Sequence, residues 1–316
     1  MSSVWRGLLQ QPWIWSFIGA AAAWGLAVAV AHGQGGEGML TSALAFSVFT
    51  VLVGTGQMFV VTLGPGNVDL SIPATIGLAG AVAMKIMDGS DAMVALGIAA
   101  ALGTGIAIGV FNYMLIRLLR IPPIVATLSA SFIIESVAIS YGRGLQIKPP
   151  PAFADFTIAR VGGVPLLAIA TVVFTILAGV VLHRTIYGRS VLAIGQNMRA
   201  ARFAGVSIGR TRFATYVLCA ALAALCGALL AGFTGGSSLE MGDEYLLSSI
   251  AVVVIGGTSV AGGFANVAGL WGAALFLFMV VTLLNTSGFG AGVRDVMTGI
   301  VIIVVITIAG GRRSLR

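Results

Sequence analysis

Ten runs of apolar residues divide this chain, at about 13–31, 40–63, 72–87, 92–116, 124–140, 165–183, 213–233, 247–257, 264–284 and 295–309. Most approach the roughly 20 residues that a helix needs to cross the hydrocarbon of a bilayer. A chain built this way has few choices. In lipid every backbone N–H and C=O must be satisfied internally, which leaves helices or a closed barrel. A barrel requires alternating segments of about ten residues, whereas these runs are continuous. The expected fold is therefore all-α, a polytopic membrane protein with about ten transmembrane helices forming one domain over residues 1–316. Charged residues are only 9% of the chain, against about 25% in soluble proteins. Ten crossings use about 200 residues and leave no room for a soluble domain. The 44 glycines are about twice ordinary usage, as expected where helices approach closely without a hydrophobic force between them.

The net charge of +7 is not a nucleic-acid footprint, because Lys and Arg are scattered between the runs and form no basic domain. The excess reads as topology. With a cytoplasmic N-terminus, Arg6, Arg117, Arg120, Arg184, Arg189, Arg199, Arg202, Arg210, Arg212, Arg312, Arg313 and Arg316 all fall inside, beside the single acid Asp69. Lys85, Arg143, Lys148, Arg160 and Arg294 fall outside with eight acids. This asymmetry obeys the positive-inside rule and places both termini in the cytoplasm. The first run has no convincing A-x-A cleavage site before the next span and is expected to be a retained helix. Cys219 and Cys226 stand about 10.5 Å apart along a helix, too far for a disulfide. His32 and His183 have no partner at ligand spacing, so no metal site is expected.

Two connections are long. The outer one, 141–164, carries Pro149, Pro150 and Pro151 and is expected to be stiff and extended. The inner one, 183–212, holds six arginines, and its stretch from Gln196 to Val206 suits a short helix at the membrane surface. The residues alone allow it to be an amphipathic linker held on anionic lipid. There is also a faint repeat: an ungapped shift of 192 residues sets Leu63–Ala81 against Ile255–Ala273. In both places a polar, glycine-rich break interrupts the spans, at Gly64–Ser71 and Gly256–Gly263. Transporters use such paired breaks to set helix ends and backbone polar groups beside a pathway.

No HExxH or P-loop occurs, so neither catalysis nor ATP binding is expected of this chain. Asp69 lies in the first break, where irregular backbone is tolerated only beside protein or water. It either lines a pathway or, with Ser71, caps the following helix, whose Pro73 suits a first turn. Glu135 and Lys85 fall at similar depth in their spans, and an intramembrane ion pair between them competes with Lys85 snorkelling outward. Gly105 and Gly109 form a GxxxG, expected to mark close helix packing.

Four ordered stretches carry a family likeness: VDLS at 68–71, PPIVATLSA at 122–130, YGRSVLAIGQNMRAARFAGV at 187–206 and IAVVVIGGTSVAGG at 250–263. Together they resemble the permease subunits of ribose-type monosaccharide ABC importers over nearly the whole chain. The resemblance implies a ten-helix subunit of a bacterial inner (cytoplasmic) membrane. It also implies a dimer with a second copy or a paralogue, a periplasmic binding protein that delivers solute, and a separate ATPase pair that binds ATP and Mg, so that this chain needs no cofactor. Asn197, Ala200, Ala201 and Gly205 would belong to the coupling helix on the ATPase. Asn67, Asp69 and Ser71, with Gly256, Gly257, Thr258 and Ser259, would lie beside the translocation route.

The likeness has departures. Where the family usually has Gly-Gly-Ile-Asp-Leu-Ser, this chain has Gly66, Asn67, Val68, Asp69, Leu70 and Ser71; where it has Glu-Leu-Asp before the eighth span, this chain has Leu246, Leu247 and Ser248. Glu135 stands where relatives tend to carry a basic residue. These changes suit an unusual sugar or polyol, or one half of a two-permease heterodimer. A branched-chain amino acid or nucleoside is the alternative cargo. A stand-alone secondary transporter would need coupling-ion carboxylates, for which only Asp69 and Glu135 are available. An intramembrane enzyme lacks a nucleophile and base.

Overall fold

The computed structural model describes residues 13–142 and 147–288, with scattered positions between 290 and 307. Its apolar runs fold into helices α1 (Ile14–Val30), α2 (Gly36–Thr62), α3 (Ile72–Met87), α4 (Val94–Leu118) and α5 (Pro123–Gly142). A short α6 (Pro151–Ile158) and a two-stranded hairpin, β1 (Arg160–Val161) with β2 (Val164–Pro165), precede α7 (Leu166–Arg184). Two loop helices follow, α8 (Ile186–Gln196) and α9 (Met198–Phe203). The remainder are α10 (Ile208–Thr234), α11 (Glu244–Ile255) and α12 (Val267–Thr286). Among the described residues six helices are long and apolar enough to cross a membrane, while α1, α3 and α11 are apolar but shorter. The protein is thus an all-α polytopic membrane protein. The tenth run, 295–309, lies largely outside the described residues.

Helices α2 and α10 are the innermost long spans, whereas α4, α5 and α7 bury only narrow stripes. On α5 that stripe is Ala126, Ala130, Ile134 and Ala138, the four-residue spacing of one helix face. The α4–α10 crossing is set by the GxxxG. A Cβ at Gly105 would stand 2.6 Å from the Ala220 carbonyl oxygen, and one at Gly109 would meet the Val217 backbone. Only glycine permits this approach, in which backbone contact replaces the hydrophobic force that lipid does not supply. Cys219 and Cys226 are free and buried on the same α10, where they serve as small packing residues.

The outer connection departs from expectation. Pro151 occupies the first turn of α6, where its missing N–H costs nothing. The three prolines therefore lead into a helix, and Phe153 and Thr157 bury its inner face against Gly232 of α10.

Candidate translocation site

The inner connection is built as two helices. Thr185 caps α8 by accepting from Gly188 N at 3.1 Å, and Asn197 caps α9 by accepting from Ala200 N at 3.0 Å. Both are ordinary N-caps that end one element and start the next. Tyr187 fixes α8 to the bundle: its ring stacks on Phe59 at 5.9 Å, and its hydroxyl lies 2.9 Å from Thr215 Oγ1. Burial pushes that hydroxyl up to about 12, partly offset by the Thr215 bond, so it stays neutral and hydrogen-bonded at physiological pH.

The end of α8 touches both breaks. Gln196 Nε2 donates to the Gly263 carbonyl at 3.2 Å, and Gly263 N donates to the Thr62 carbonyl at 3.0 Å. Gly195 packs against the Thr62 carbonyl and Gly263 so closely that any side chain there would collide. The second break, 256–266, is folded on itself. Thr258 is buried, and its Oγ1 accepts from Asn266 N at 3.2 Å, while Asn266 caps α12 through Gly269 N at 3.3 Å. Gly256 packs directly on Gly269, Gly257 takes a positive φ of 91°, and Ser259 is half-buried with its N–H donating to the Phe264 carbonyl at 3.0 Å.

The first break is held by side chains from four helices. Asp69 is 1% exposed, and its Oδ1 accepts from Ser71 N at 2.9 Å and Ser71 Oγ at 2.6 Å. Its N–H donates to Gln57 Oε1 of α2 at 3.2 Å. Thr127 of α5 accepts from Leu70 N at 3.0 Å, and Asn112 of α4 donates to Ser71 Oγ at 2.7 Å. Asn67 Oδ1 accepts from Arg212 Nη2 at 3.1 Å and Tyr216 Oη at 3.2 Å, both on α10. Asp69 Oδ2, Asn112 Oδ1, Gln57 Nε2 and Arg212 Nε are buried without a protein partner. The cluster thus offers free acceptors and free donors together, the complement of hydroxyl-bearing molecules or water, which need both. It lies among packed helices with an arginine-bearing end, and it holds no pairing of nucleophile and base.

Of the residues expected from the sequence, Asn67, Asp69 and Ser71 come together in one network. Gly256, Gly257, Thr258 and Ser259 lie in the neighbouring break, joined to it through Thr62 and Gly263. The cap and the pathway readings of Asp69 meet in one residue, since one carboxylate oxygen orders Ser71 at the start of α3 and the other is free. Gln57, Asn112, Thr127 and Tyr216 were not foreseen. Their signal was a hydrogen-bonding side chain inside an apolar run, the kind of position at which an intramembrane polar group marks a site.

The Glu135–Lys85 pair is not formed. Lys85 Nζ lies over the Tyr141 ring, 4.1 Å from its centroid, and Glu135 is exposed on α5 with no ionic partner among the described residues. Tyr141 is six residues beyond Glu135, about 9 Å along the helix, so Lys85 sits too far along α5. Its ammonium also gains from the last turn of α3. Glu135→Gln and Lys85→Met are therefore expected to change folded yield independently, with Lys85→Met costing about 0.5–1 kcal/mol. A double-mutant cycle on thermal stability in detergent checks this, and a coupling term larger than about 0.5 kcal/mol would contradict it.

In the loop, Ala200 and Gly205 are exposed but Ala201 is only 4% exposed. Ala201 therefore packs against its own chain, within the short helix that the resemblance assigns to coupling. Helix periodicity explains this: in a six-residue helix the face carrying Ala201 must pack on the bundle, which leaves Phe203, 92% exposed, on the outer side with the exposed Arg199 and Arg202.

Paired broken spans beside a buried polar cluster, with an arginine-rich helical loop against both, define a membrane transport subunit. Comparison with known proteins makes this specific. The family model described as branched-chain amino acid transport system / permease component matches residues 39–306. The chain belongs to this family; it is a permease of the ABC-importer class and not an enzyme. Ribose import permease protein RbsC of Bacillus subtilis (strain 168) is 31% identical over 81% of this chain and 79% of its own length. Ribose import permease protein RbsC of Escherichia coli (strain K12) is 29% identical over 83% and 85%. Autoinducer 2 import system permease protein LsrC of Enterobacter sp. (strain 638) is 29% identical over 98% of this chain and 90% of its own length. No solved structure matches the chain.

Proposed function

We propose that this chain is the membrane-spanning subunit through which a monosaccharide or related polyhydroxylated solute crosses a bacterial inner membrane. In this reading it has ten helices with both termini cytoplasmic, forming a single domain over 1–316 whose coupling loop, about 183–212, rests on an ATPase. A periplasmic binding protein delivers the solute, a second copy or a paralogue completes the permease pair, and the partner ATPase binds ATP and Mg. The observation that carries the reading is the convergence of the loop and both breaks at one end of the bundle through Gln196, Gly263 and Thr62. There a push on the loop reaches the polar cluster directly. The sugar assignment is supported by the names of the relatives and by a cluster in which amide, hydroxyl and carboxylate groups offer free donors and acceptors.

The test is reconstitution in liposomes. The chain alone should neither hydrolyse ATP nor accumulate solute. With its ATPase and binding protein it should accumulate one of a panel of labelled pentoses and hexoses, beginning with D-ribose, and exclude leucine. Hydrolysis by the chain alone would overturn the transport role, and accumulation of leucine in place of sugars would overturn the cargo.

A further inference from the structure

Of the side chains that hold the first break, those from α2, α4 and α5 sit on helices that have no direct continuity with the loop. Arg212 does. It lies on the first turns of α10, the helix that the chain enters from α9 through Gly205 and Ser207. Arg199, Arg202 and Arg210 are exposed, whereas Arg212 turns inward and is half-buried. It reaches Asn67, 145 residues away in sequence.

Asn67 in turn locks the break: its Nδ2 and its own backbone N–H both donate to the Gly64 carbonyl, at 3.1 and 3.3 Å, closing the turn that leads to Asp69 two residues later. We propose that Arg212 and Asn67 form a transmission joint, through which displacement of the loop 185–207 is passed to the break that carries Asp69. This rests on the coupling role given to the loop above. Asn67 also stands where the resembling family carries glycine, so this chain has an acceptor here that such a sequence lacks.

The electrostatics favour a movable contact over a fixed one. A half-buried guanidinium is normally held by a carboxylate. Here it is held by a neutral amide, while its own Nε and Asp69 Oδ2 are both buried and unpartnered in the same cluster. Tyr216, bonded to Asn67, lies within electrostatic range of both charges. Moving Arg212 off Asn67 towards Asp69 would satisfy both orphans and leave Asn67 Oδ1 to Tyr216 alone, so that the Gly64–Asn67 turn is no longer tied to the first turns of α10 through the guanidinium. The joint therefore has two arrangements of comparable satisfaction, and the position of α9 selects between them.

The experiment is hydrogen exchange by mass spectrometry on the assembled complex with its ATPase in nanodiscs, with and without a non-hydrolysable ATP analogue and Mg. In the natural chain the nucleotide should change exchange both in the loop, 185–207, and in the break, 64–71. In Arg212→Met and Asn67→Gly the loop response should persist while the break response falls by roughly fivefold or more, the lower end of ordinary coupling between sites. Arg212→Lys guards against misfolding: it keeps a cationic donor for Asn67 Oδ1 and should restore much of the break response that Arg212→Met loses, at a similar melting temperature, an outcome that a purely structural contact would not give. A break response that survives in Arg212→Met, or that is lost equally in Arg212→Lys and Arg212→Met, overturns the joint. A natural complex whose loop does not respond to nucleotide instead overturns the coupling reading on which the joint rests.

Discussion

Phe203→Asp is expected to weaken the ATPase complex about thirtyfold, equivalent to roughly 2 kcal/mol. The argument starts from exposure. Phe203 is 92% exposed at the end of α9, and leaving a side chain of that size in water forfeits about 1.5–3 kcal/mol relative to burying it. Arg199 and Arg202 of the same helix are both exposed. An exposed aromatic with two arginines on the same short helix is the composition of an interface anchor, and its partner surface is expected to be an apolar groove with an acidic rim. Aspartate removes the anchor and repels the rim. Ala201→Trp should fail differently: Ala201 is packed against its own chain, so overpacking costs about 1–3 kcal/mol of fold stability. Co-purification of the ATPase and thermal melting of the isolated permease separate the two. If Phe203→Asp retains the ATPase fully and instead loses its dependence on anionic lipid, the loop is a membrane-surface linker and α9 is not the coupling site.

The contrast between Phe203 and Ala201 shows where sequence reasoning stops. Apolar runs locate helices well, because lipid leaves the backbone no other solution; the run 72–87 coincides with α3. What a run does not give is rotation about its axis. Glu135 and Lys85 were matched by depth, which the 1.5 Å rise per residue supplies, yet Lys85 meets Tyr141 because packing of the α5 stripe decides what each face sees. The repeat fails in a related way. The first break, 63–71, has nine residues and the second, 256–266, has eleven. A shift of 192 sets Ile72 opposite Phe264, three residues before α12 begins at Val267. The breaks are analogous devices, but no single ungapped shift superposes both the leading helices, which end at Thr62 and Ile255, and the returning ones, which begin at Ile72 and Val267.

The buried cluster was half legible for the same reason. Asp69 announced itself as a charge in a polar break. Gln57, Asn112 and Tyr216 are buried polar or hydroxyl-bearing residues scattered through long apolar helices, and only the folded arrangement brings them to one place. Their free atoms are costly: a buried donor or acceptor without a partner loses about 1–3 kcal/mol. Four of them in one cluster point to groups that complete their bonds at another stage of the transport cycle.

Asp69 carries the sharpest test of that idea, because its two oxygens have separable duties. Oδ1 orders Ser71 at the head of α3, and Oδ2 has no protein partner. In Asp69→Ala both are lost. Ser71 N–H is then buried without an acceptor, and the helix start loses about 1–3 kcal/mol, seen as reduced abundance in the membrane. In Asp69→Asn one acceptor oxygen remains for Ser71, so abundance should stay near that of the natural chain. The second position becomes a donor and the negative charge is gone. If Oδ2 accepts from the solute's hydroxyls or from Arg212 during the cycle, uptake per molecule of permease should fall about tenfold or more, the equivalent of one lost charge-assisted hydrogen bond of about 1.5–3 kcal/mol. Membrane abundance by quantitative blotting and initial uptake rates of the solute identified by reconstitution give the ratio. Uptake in Asp69→Asn that tracks abundance, with only Asp69→Ala impaired, would reduce the residue to a helix cap and leave the pathway to be drawn through other groups.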